Sequence, residues 1–484
     1  MYLGIDIGTS AVKSIVMDEH GAIIAESSAP LTVLRPHPLM SEQHPDSWWV
    51  AVNQTIVSLS KYTPAVRGIG LSGQMHGAVL LDQSHKVLRP AILWNDGRSG
   101  EECHELEEAV DVAEITGNHA MPGFTAPKLL WVRKHEGDVF AATKTVLLPK
   151  DYVRLRMTGE LATDMSDASG TLWLNVADRC WHPDMLDATG LTEERMPALF
   201  EGSDVTGVLT SEVATAWGMN RVPVVGGAGD QAAGAVGAGA VVPGRCTLSL
   251  GTSGVMFAPD SGYHPNPSGG IHTFCHAFPD TWHEMAVILS AAGSLTWIAG
   301  VTASKSESAL INEVESREST STDVLFLPYL SGERTPHNDP LAKGVFSGLT
   351  PDTSRADLGY AVLEGVAFAL RDCYTELVEA RANLEEISVI GGGSQSRYWG
   401  QLISDVLQKP LIYRKDAAVG PALGAARLAM LGVEGSAVAS VCREARADFS
   451  VYPRTDRINE IESRYFEFKA FYQDLRSHFG RLNA

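Results

Sequence analysis

A chain of 484 residues exceeds what one hydrophobic core organises, so two or more domains are expected. Its 44% hydrophobic and 20% charged content is that of a soluble globular protein, and no stretch reaches the uncharged apolar length needed to cross a bilayer. A formal net charge of −20 repels nucleic acid and anionic lipid; it suits a neutral substrate with magnesium screening any phosphate, or serves solubility alone.

The N-terminus enters a strand directly, without the basic region, apolar core and cleavage site of a signal peptide. "YLGIDIGTSAVKSIVMD" (2–18) starts like a phosphate-binding loop and then departs from it. A P-loop would continue with Gly-Lys-Ser/Thr and open a helix. Here Gly8-Thr9-Ser10 leads into a second strand rich in β-branched residues, and a turn at "EHG" leads into a third. Such a turn can offer amides and two hydroxyls to an oxyanion; Lys13 could add a cation, and Asp6 precedes the turn. The span 46–62 has helical periodicity, with Asp46 as its N-cap. "VRGIGLSG" (66–73) is a strand, and "QMHGAVLLD" gives another. Met75 and His76 lie between them; the histidine either bonds a substrate hydroxyl or is a satisfied structural residue. "LWNDGRS" (93–99) gathers Asn95, Asp96 and Arg98 at a loop that suits a polyol.

"PVVGGAGDQAAGAVG" (223–237) runs from strand through glycine turn to helix and fits the dinucleotide fingerprint loosely. Asp230 opposes that reading, because a carboxylate there would face a pyrophosphate, and no acid follows at the usual distance of roughly 20 residues. Against a sugar hydroxyl, Asp230 at a helix N-terminus is instead placed as a general base kept ionised by the helix dipole; the alternative is a plain N-cap. A glycine-rich stretch near 240–245 divides the chain, giving expected domains of 1–243 and 244–484. The second half opens as the first does: "RCTLSLGTSGVMFA" (245–258) repeats strand, Gly-Thr-Ser, strand, so Thr252 echoes Thr9. "LPYLSGERTPHNDP" (327–340) reads as a scaffold of internal ion pairs through Glu333 and Arg334. A long buried helix over 355–381 follows, then strand, glycine turn, helix and short strand over 386–411. The turn "VIGGGSQSR" (389–397) suits the flat face of a purine or its ribose. A small-residue helix over 420–431 suits close packing, and 458–479 is an amphipathic closing helix. Strands alternating with helices argue for an α/β class. The six cysteines are scattered, without C-x-x-C or zinc spacing, and read as reduced thiols of a cytoplasmic protein.

These motifs together resemble the FGGY carbohydrate kinases over nearly the whole length. "GFTAPKLLWVRKH" (123–135) is similar to one family signature, with Lys128 and Trp131 at its fixed points, and "GVFSGLTPDTSRADLGYAVLE" (344–364) to the second. "DIGTS", "GGAGDQ" and "GGGSQS" occur in the family's order. The resemblance implies two actin-like (ribonuclease H-like) domains, each a mixed sheet flanked by helices: an N-terminal sugar-binding one and a C-terminal nucleotide-binding one, with ATP and sugar in the cleft between. It implies Asp230 as catalytic base, Met75, His76 and Gln231 as sugar contacts, and Asp6 as the acid near Mg2+. Thr9, Ser10 and Lys13 would form the first phosphate loop, Thr252 the second, and Gly392, Gly393 and Ser396 the adenosine wall. "GQMHG", "LWNDGR" and "LPYLSGERTPH" look like members that phosphorylate D-xylulose, whereas glycerol kinases are expected to carry Arg-Glu at Met75-His76. Gln231 stands where Asn is expected in the xylulose branch; either amide can bridge two hydroxyls. Another polyol such as ribulose, fuculose or glycerol is the alternative substrate, and a dinucleotide-binding oxidoreductase the alternative class. By analogy with the family, a homodimer is expected.

Overall fold

The computed structural model describes residues 1–317, 322–414 and 420–482. Its frame is a pair of seven-stranded mixed sheets. The first contains β1 (Tyr2–Ile7), β2 (Ala11–Met17), β3 (Ile23–Pro30), β4 (Gly68–Gly73), β5 (Val205–Val208), β6 (Pro223–Val225) and β7 (Ala228–Gly229). They lie in the order β5-β6-β4-β1-β2-β3, with β7 also against β4. The second contains β8 (Arg245–Leu250), β9 (Gly254–Asp260), β10 (His272–Cys275), β11 (Trp282–Ile288), β12 (Glu386–Ile390), β13 (Leu411–Arg414) and β14 (Ala447–Val451), in the order β10-β11-β9-β8-β12-β13-β14. The senses match for six strands of each sheet, β7 and β10 being the unmatched ones. β1/β2 and β2/β3 are antiparallel, β1/β4 and β4/β6 parallel, β6/β5 antiparallel. β8/β9 and β9/β11 are antiparallel, β8/β12 and β12/β13 parallel, β13/β14 antiparallel. The echo between the two Gly-Thr-Ser turns is thus the visible trace of a repeated topology.

The helices that matter for the site are α1 (Pro45–Ser58), α2 (Pro149–Thr158), α3 (Asp230–Ala238), α4 (Arg355–Glu379), α5 (Arg397–Leu407), α6 (Pro421–Glu434) and α7 (Ile458–Leu482). β1 is covered on both faces. Leu3, Ile5 and Ile7 join a core with Trp48 and Val52 of α1, while Tyr2 joins Ala422 and Ala426 of α6. Alternation then places Gly4 and Asp6 on the α6 side of the sheet. Close approach there demands small residues. A Cβ on Gly70 of β4 would lie 1.9 Å from the Ala425 carbonyl oxygen, and one on Gly424 would lie 1.8 Å from that of Ala233 in α3. The small residues of α6 do pack closely, and their partners are the first sheet and α3, so the chain returns from its second half to brace the first.

In the second half, α4 is set by a capping box between Ser354 and Asp357 and is buried along most of its length. The closing helix α7 adds Tyr465, Phe468, Tyr472 and Phe479 to the same core. One expectation fails locally. α1 begins at Pro45 after His44, so Asp46 is not its cap. Proline at the first helical position needs no amide partner, and Asp46 accepts instead from Tyr152 (2.6 Å) and Arg156 (2.7 Å) of α2. The six cysteines are free thiols; only Cys180 is exposed.

Candidate active site

Asp6 and Asp230 meet on the α6 side of the first sheet. Asp6, the penultimate residue of β1, lies opposite Ser72 of β4, whose hydroxyl donates to it at 2.9 Å. Asp230 is the first residue of α3, immediately after β7, which pairs with Ser72 and Gly73. Both carboxyls are only partly exposed. Burial raises Asp6 to about 6, with Ser72 and Lys13 opposing. Burial first, and the Asp6 charge second, push Asp230 up to about 7, with donation from Gln231 opposing. The helix dipole therefore does not keep Asp230 firmly ionised as the sequence suggested. Desolvation and a neighbouring carboxylate outweigh it and bring the group to the range that suits proton transfer near neutrality.

The turn carrying Asp230 is held from beneath by side chains that sequence reading missed. Arg154 of α2, fully buried, donates to the carbonyls of Val225 (2.6 Å) and Gly226 (2.5 Å) and to Thr206 Oγ1 (2.7 Å). Ser166 Oγ accepts from the Gly229 amide at 3.1 Å and donates to Asp164 at 2.5 Å. The Lys150 ammonium sits between Asp151 (2.7 Å), Asp164 (2.7 Å) and Asp167 (3.0 Å), all fully buried. Gly227, at φ 72°, crosses β4 so closely that a Cβ would lie 2.0 Å from the Leu71 carbonyl oxygen. That glycine serves backbone packing, which is why the turn imitates a dinucleotide fingerprint. No periodicity or motif marks Arg154, Lys150 or Ser166, because their role is set by tertiary contact.

Beside this turn lie Met75 and His76. A Cβ on Gly229 would be 2.9 Å from the Met75 sulfur, so the thioether lies directly on the turn. His76 has a φ of 68°. Its carbonyl accepts from Lys128 Nζ (2.9 Å) and Thr125 Oγ1 (3.2 Å), both within the "GFTAPKLLW" stretch. Its Nδ1 lies 2.7 Å from the Gly170 carbonyl, so the ring donates there and leaves Nε2 as an acceptor. Burial first, then the Lys128 charge, lower His76 to about 3, so the ring is neutral at physiological pH. Phe124 meets its ring edge-on at 4.8 Å. The second half adds Phe274 at 6.3 Å and His272, which bridges Arg334 (3.2 Å) and Asn118 (3.1 Å). Gln231 follows Asp230 and is partly exposed.

Two loop readings change. Asp96 is buried and accepts from the Ser41 amide (2.6 Å) and from Arg98 through Nε (2.8 Å) and Nη2 (2.7 Å), and Arg98 also reaches Glu42 (2.8 Å). This pair is consumed inside the protein and is not free for a polyol; Asn95 is exposed. Glu333 and Arg334 do not form internal ion pairs among the described residues. Glu333 accepts from the amides of Leu289 (2.9 Å) and Arg334 (2.7 Å), and the Arg334 guanidinium turns to His272.

The two Gly-Thr-Ser turns differ in their surroundings. Thr9 donates its hydroxyl to Gln74 (3.0 Å) and accepts from Trp94 Nε1 (3.0 Å), while Ser10 is exposed. Lys13 stands opposite Asp6 across β1 and β2 but pairs with Glu26 at 2.9 Å, a half-exposed contact that is easily exchanged. In the second turn, the Thr252 carbonyl accepts from the amides of Ala291 (2.8 Å) and Gly293 (3.1 Å), and the residue borders a cavity of about 740 Å³. That cavity brings Thr252 together with Gly392, Gly393 and Ser396, and adds Thr296 and Asn312, which the sequence did not single out. Ser396 also caps α5, accepting from the Trp399 amide at 3.1 Å. The size suits a nucleotide.

The family pattern described as "FGGY family of carbohydrate kinases, N-terminal domain" matches residues 1–237, and that of its C-terminal domain matches residues 246–433. The chain is 55% identical to a xylulose kinase of Klebsiella pneumoniae over 90% of its length and 91% of that protein. It is 50% identical to a xylulose kinase of Escherichia coli (strain K12) over 98% of its length and 99% of that protein. A solved structure described as a xyloylose kinase from Brucella ovis, 44% identical, superposes with a TM-score of 0.96 over 98% of this chain and 99% of that one. Matched by both domain patterns over residues 1–237 and 246–433, and by a relative over 98% of its length, the chain belongs to the FGGY family of carbohydrate kinases.

Proposed function

We propose that this kinase transfers the γ-phosphoryl group of ATP to the terminal hydroxyl of D-xylulose, giving D-xylulose 5-phosphate and ADP. The observation that carries this reading is Asp230: a partly exposed carboxyl at a helix N-terminus, brought to about 7, beside Asp6 and the Met75–His76 turn. The names and identities of the K. pneumoniae and E. coli relatives support the sugar. In this reading residues 1–243 supply the sugar side, residues 244–484 supply most of the nucleotide side, and α6 ties the two together.

Asp230 accepts the proton of the sugar hydroxyl as its oxygen attacks the γ-phosphorus and the bond to the bridging oxygen breaks, leaving the electron pair on ADP. Gln231 and the free Nε2 of His76 take sugar hydroxyls, and Met75 covers an apolar edge of the sugar. The exposed Ser10, the amides of the first turn and Lys13, once released from Glu26, face the transferred group. Thr252 serves the phosphates from the other side, and Gly392, Gly393 and Ser396 flank the adenosine. Burial raises both carboxyls, and the Asp6 charge raises Asp230 further; this uncompensated negative charge fits a cation, and Asp6 would hold Mg2+. When bound, magnesium supplies charge neutralisation to the phosphates. Six free thiols accord with a cytoplasmic enzyme.

The test is a coupled ADP-release assay with a panel of sugars. D-Xylulose should have the highest kcat/KM, exceeding that of glycerol or L-ribulose by up to about 10⁴-fold where a bonded hydroxyl is missing. A higher value for glycerol would refute the substrate.

A further inference from the structure

We propose a second cation site at the end of the β9–β11 ladder, formed by Asp260, His264 and Glu284 and suited to a zinc-like dication. None of the three belongs to the candidate active site. Glu284 of β11 pairs with Ala258 of β9, so Asp260, two residues further on, lies on the same face of the sheet. His264 returns from the following loop and brings Nδ1 to 3.1 Å from Asp260 Oδ2. One ligand atom from each of the three residues lies within 4.8 Å of the others.

The independent observation is Glu284 itself. It is fully buried, and neither carboxyl oxygen has a hydrogen-bond partner among the described residues. Leaving such a group unpaired inside a protein is costly. Burial, and then the Asp260 charge, raise Glu284 to about 9, so without a metal it stays protonated at neutral pH. A dication drawn to Asp260 and His264 would displace that proton and pair the carboxylate. One imidazole with two carboxylates favours zinc or cobalt over calcium or magnesium, which prefer all-oxygen sets.

Calorimetry on the metal-stripped full chain with ZnCl2, repeated in buffers of different ionisation enthalpy, tests this. Parent protein should bind one zinc ion at this site, which Glu284→Gln and His264→Ala each weaken by about 100-fold or more, with about one proton released per ion in the parent and less in Glu284→Gln. Co2+ should give a visible d–d spectrum that both substitutions abolish. Glu284→Gln keeps the buried volume, and His264 is partly exposed, so both variants should fold; a parent-like melting temperature without metal checks this. Zinc affinity equal in the parent and both folded variants, or a cobalt spectrum unchanged by either substitution, would overturn the site.

Discussion

In the proposed sugar site, His76 is the residue most tightly set by its surroundings. Lys128 and Thr125 clamp its carbonyl, Gly170 fixes its Nδ1, and burial keeps the ring neutral, so Nε2 is a committed acceptor. His76→Ala should raise the KM for sugar by roughly tenfold or more, the worth of one hydrogen bond in a buried site, while leaving ATP affinity nearly unchanged. Thr252→Val should do the reverse, because Thr252 borders the cavity shared with Gly392 and Gly393. Steady-state kinetics with each substrate varied in turn checks both, and equal effects of both changes on both ligands would contradict the assignment. At this scale the sequence marked the turns between strands, and the structure brings Asp6, Asp230 and Met75 near one another there. The sequence misled at Asp96 and Arg98, whose polar types suited a polyol, because nothing local announces that Glu42 and the Ser41 amide already occupy them.

Among the elements, α2 and α6 set the turn of Asp230. Arg154 reaches the carbonyls of Val225 and Gly226 and, through Asp151 at 3.5 Å, joins the buried carboxyls Asp151, Asp164 and Asp167 that surround Lys150. Arg154→Met leaves those carboxylates with Lys150 alone. It should destabilise the protein by about 3–5 kcal/mol, as loss of one partner of a buried ion network does, measurable by urea denaturation. Behind α3, Gly424 lets α6 approach Ala233. Gly424→Ala should cost about 1–3 kcal/mol by overpacking, despite alanine's better helix propensity, and should lower kcat by shifting α3. A Gly424→Ala protein more stable than its parent would show that the contact is slack. The helices themselves were legible from periodicity and small-residue composition. That α6 braces the first sheet was not, because no local pattern says which sheet a helix will cover.

Across the whole molecule, two sheets of matching order and sense carry one Gly-Thr-Ser turn each, and a repeat visible in a handful of residues proved to extend over both. Family motifs made the architecture readable, whereas the buried polar groups that set its pH response were silent in the sequence. Asp372 of α4 is buried, accepts a hydrogen bond from Tyr465, and is raised to about 7, chiefly by burial. Unfolded, it titrates near 4. Its stabilising contribution is therefore fully present below about pH 4 and is lost as pH rises through about 7, where the folded state must release a proton it holds tightly. Asp372→Asn should match the parent in melting temperature near pH 4 and exceed it by about 2 °C or more at pH 8.5. A gap of the same size at both pH values would remove Asp372 as the source. The central claim, proton transfer at the junction of the sugar and nucleotide sides, rests on Asp230 and is tested most directly by Asp230→Asn. Single-turnover phosphorylation of D-xylulose should slow by at least about 10²–10⁴-fold, while calorimetric affinities for sugar and ATP stay within about tenfold and the melting temperature near pH 4, where the raised Asp230 carboxyl is protonated, barely moves. Near-parental turnover in a folded Asp230→Asn protein would contradict the account.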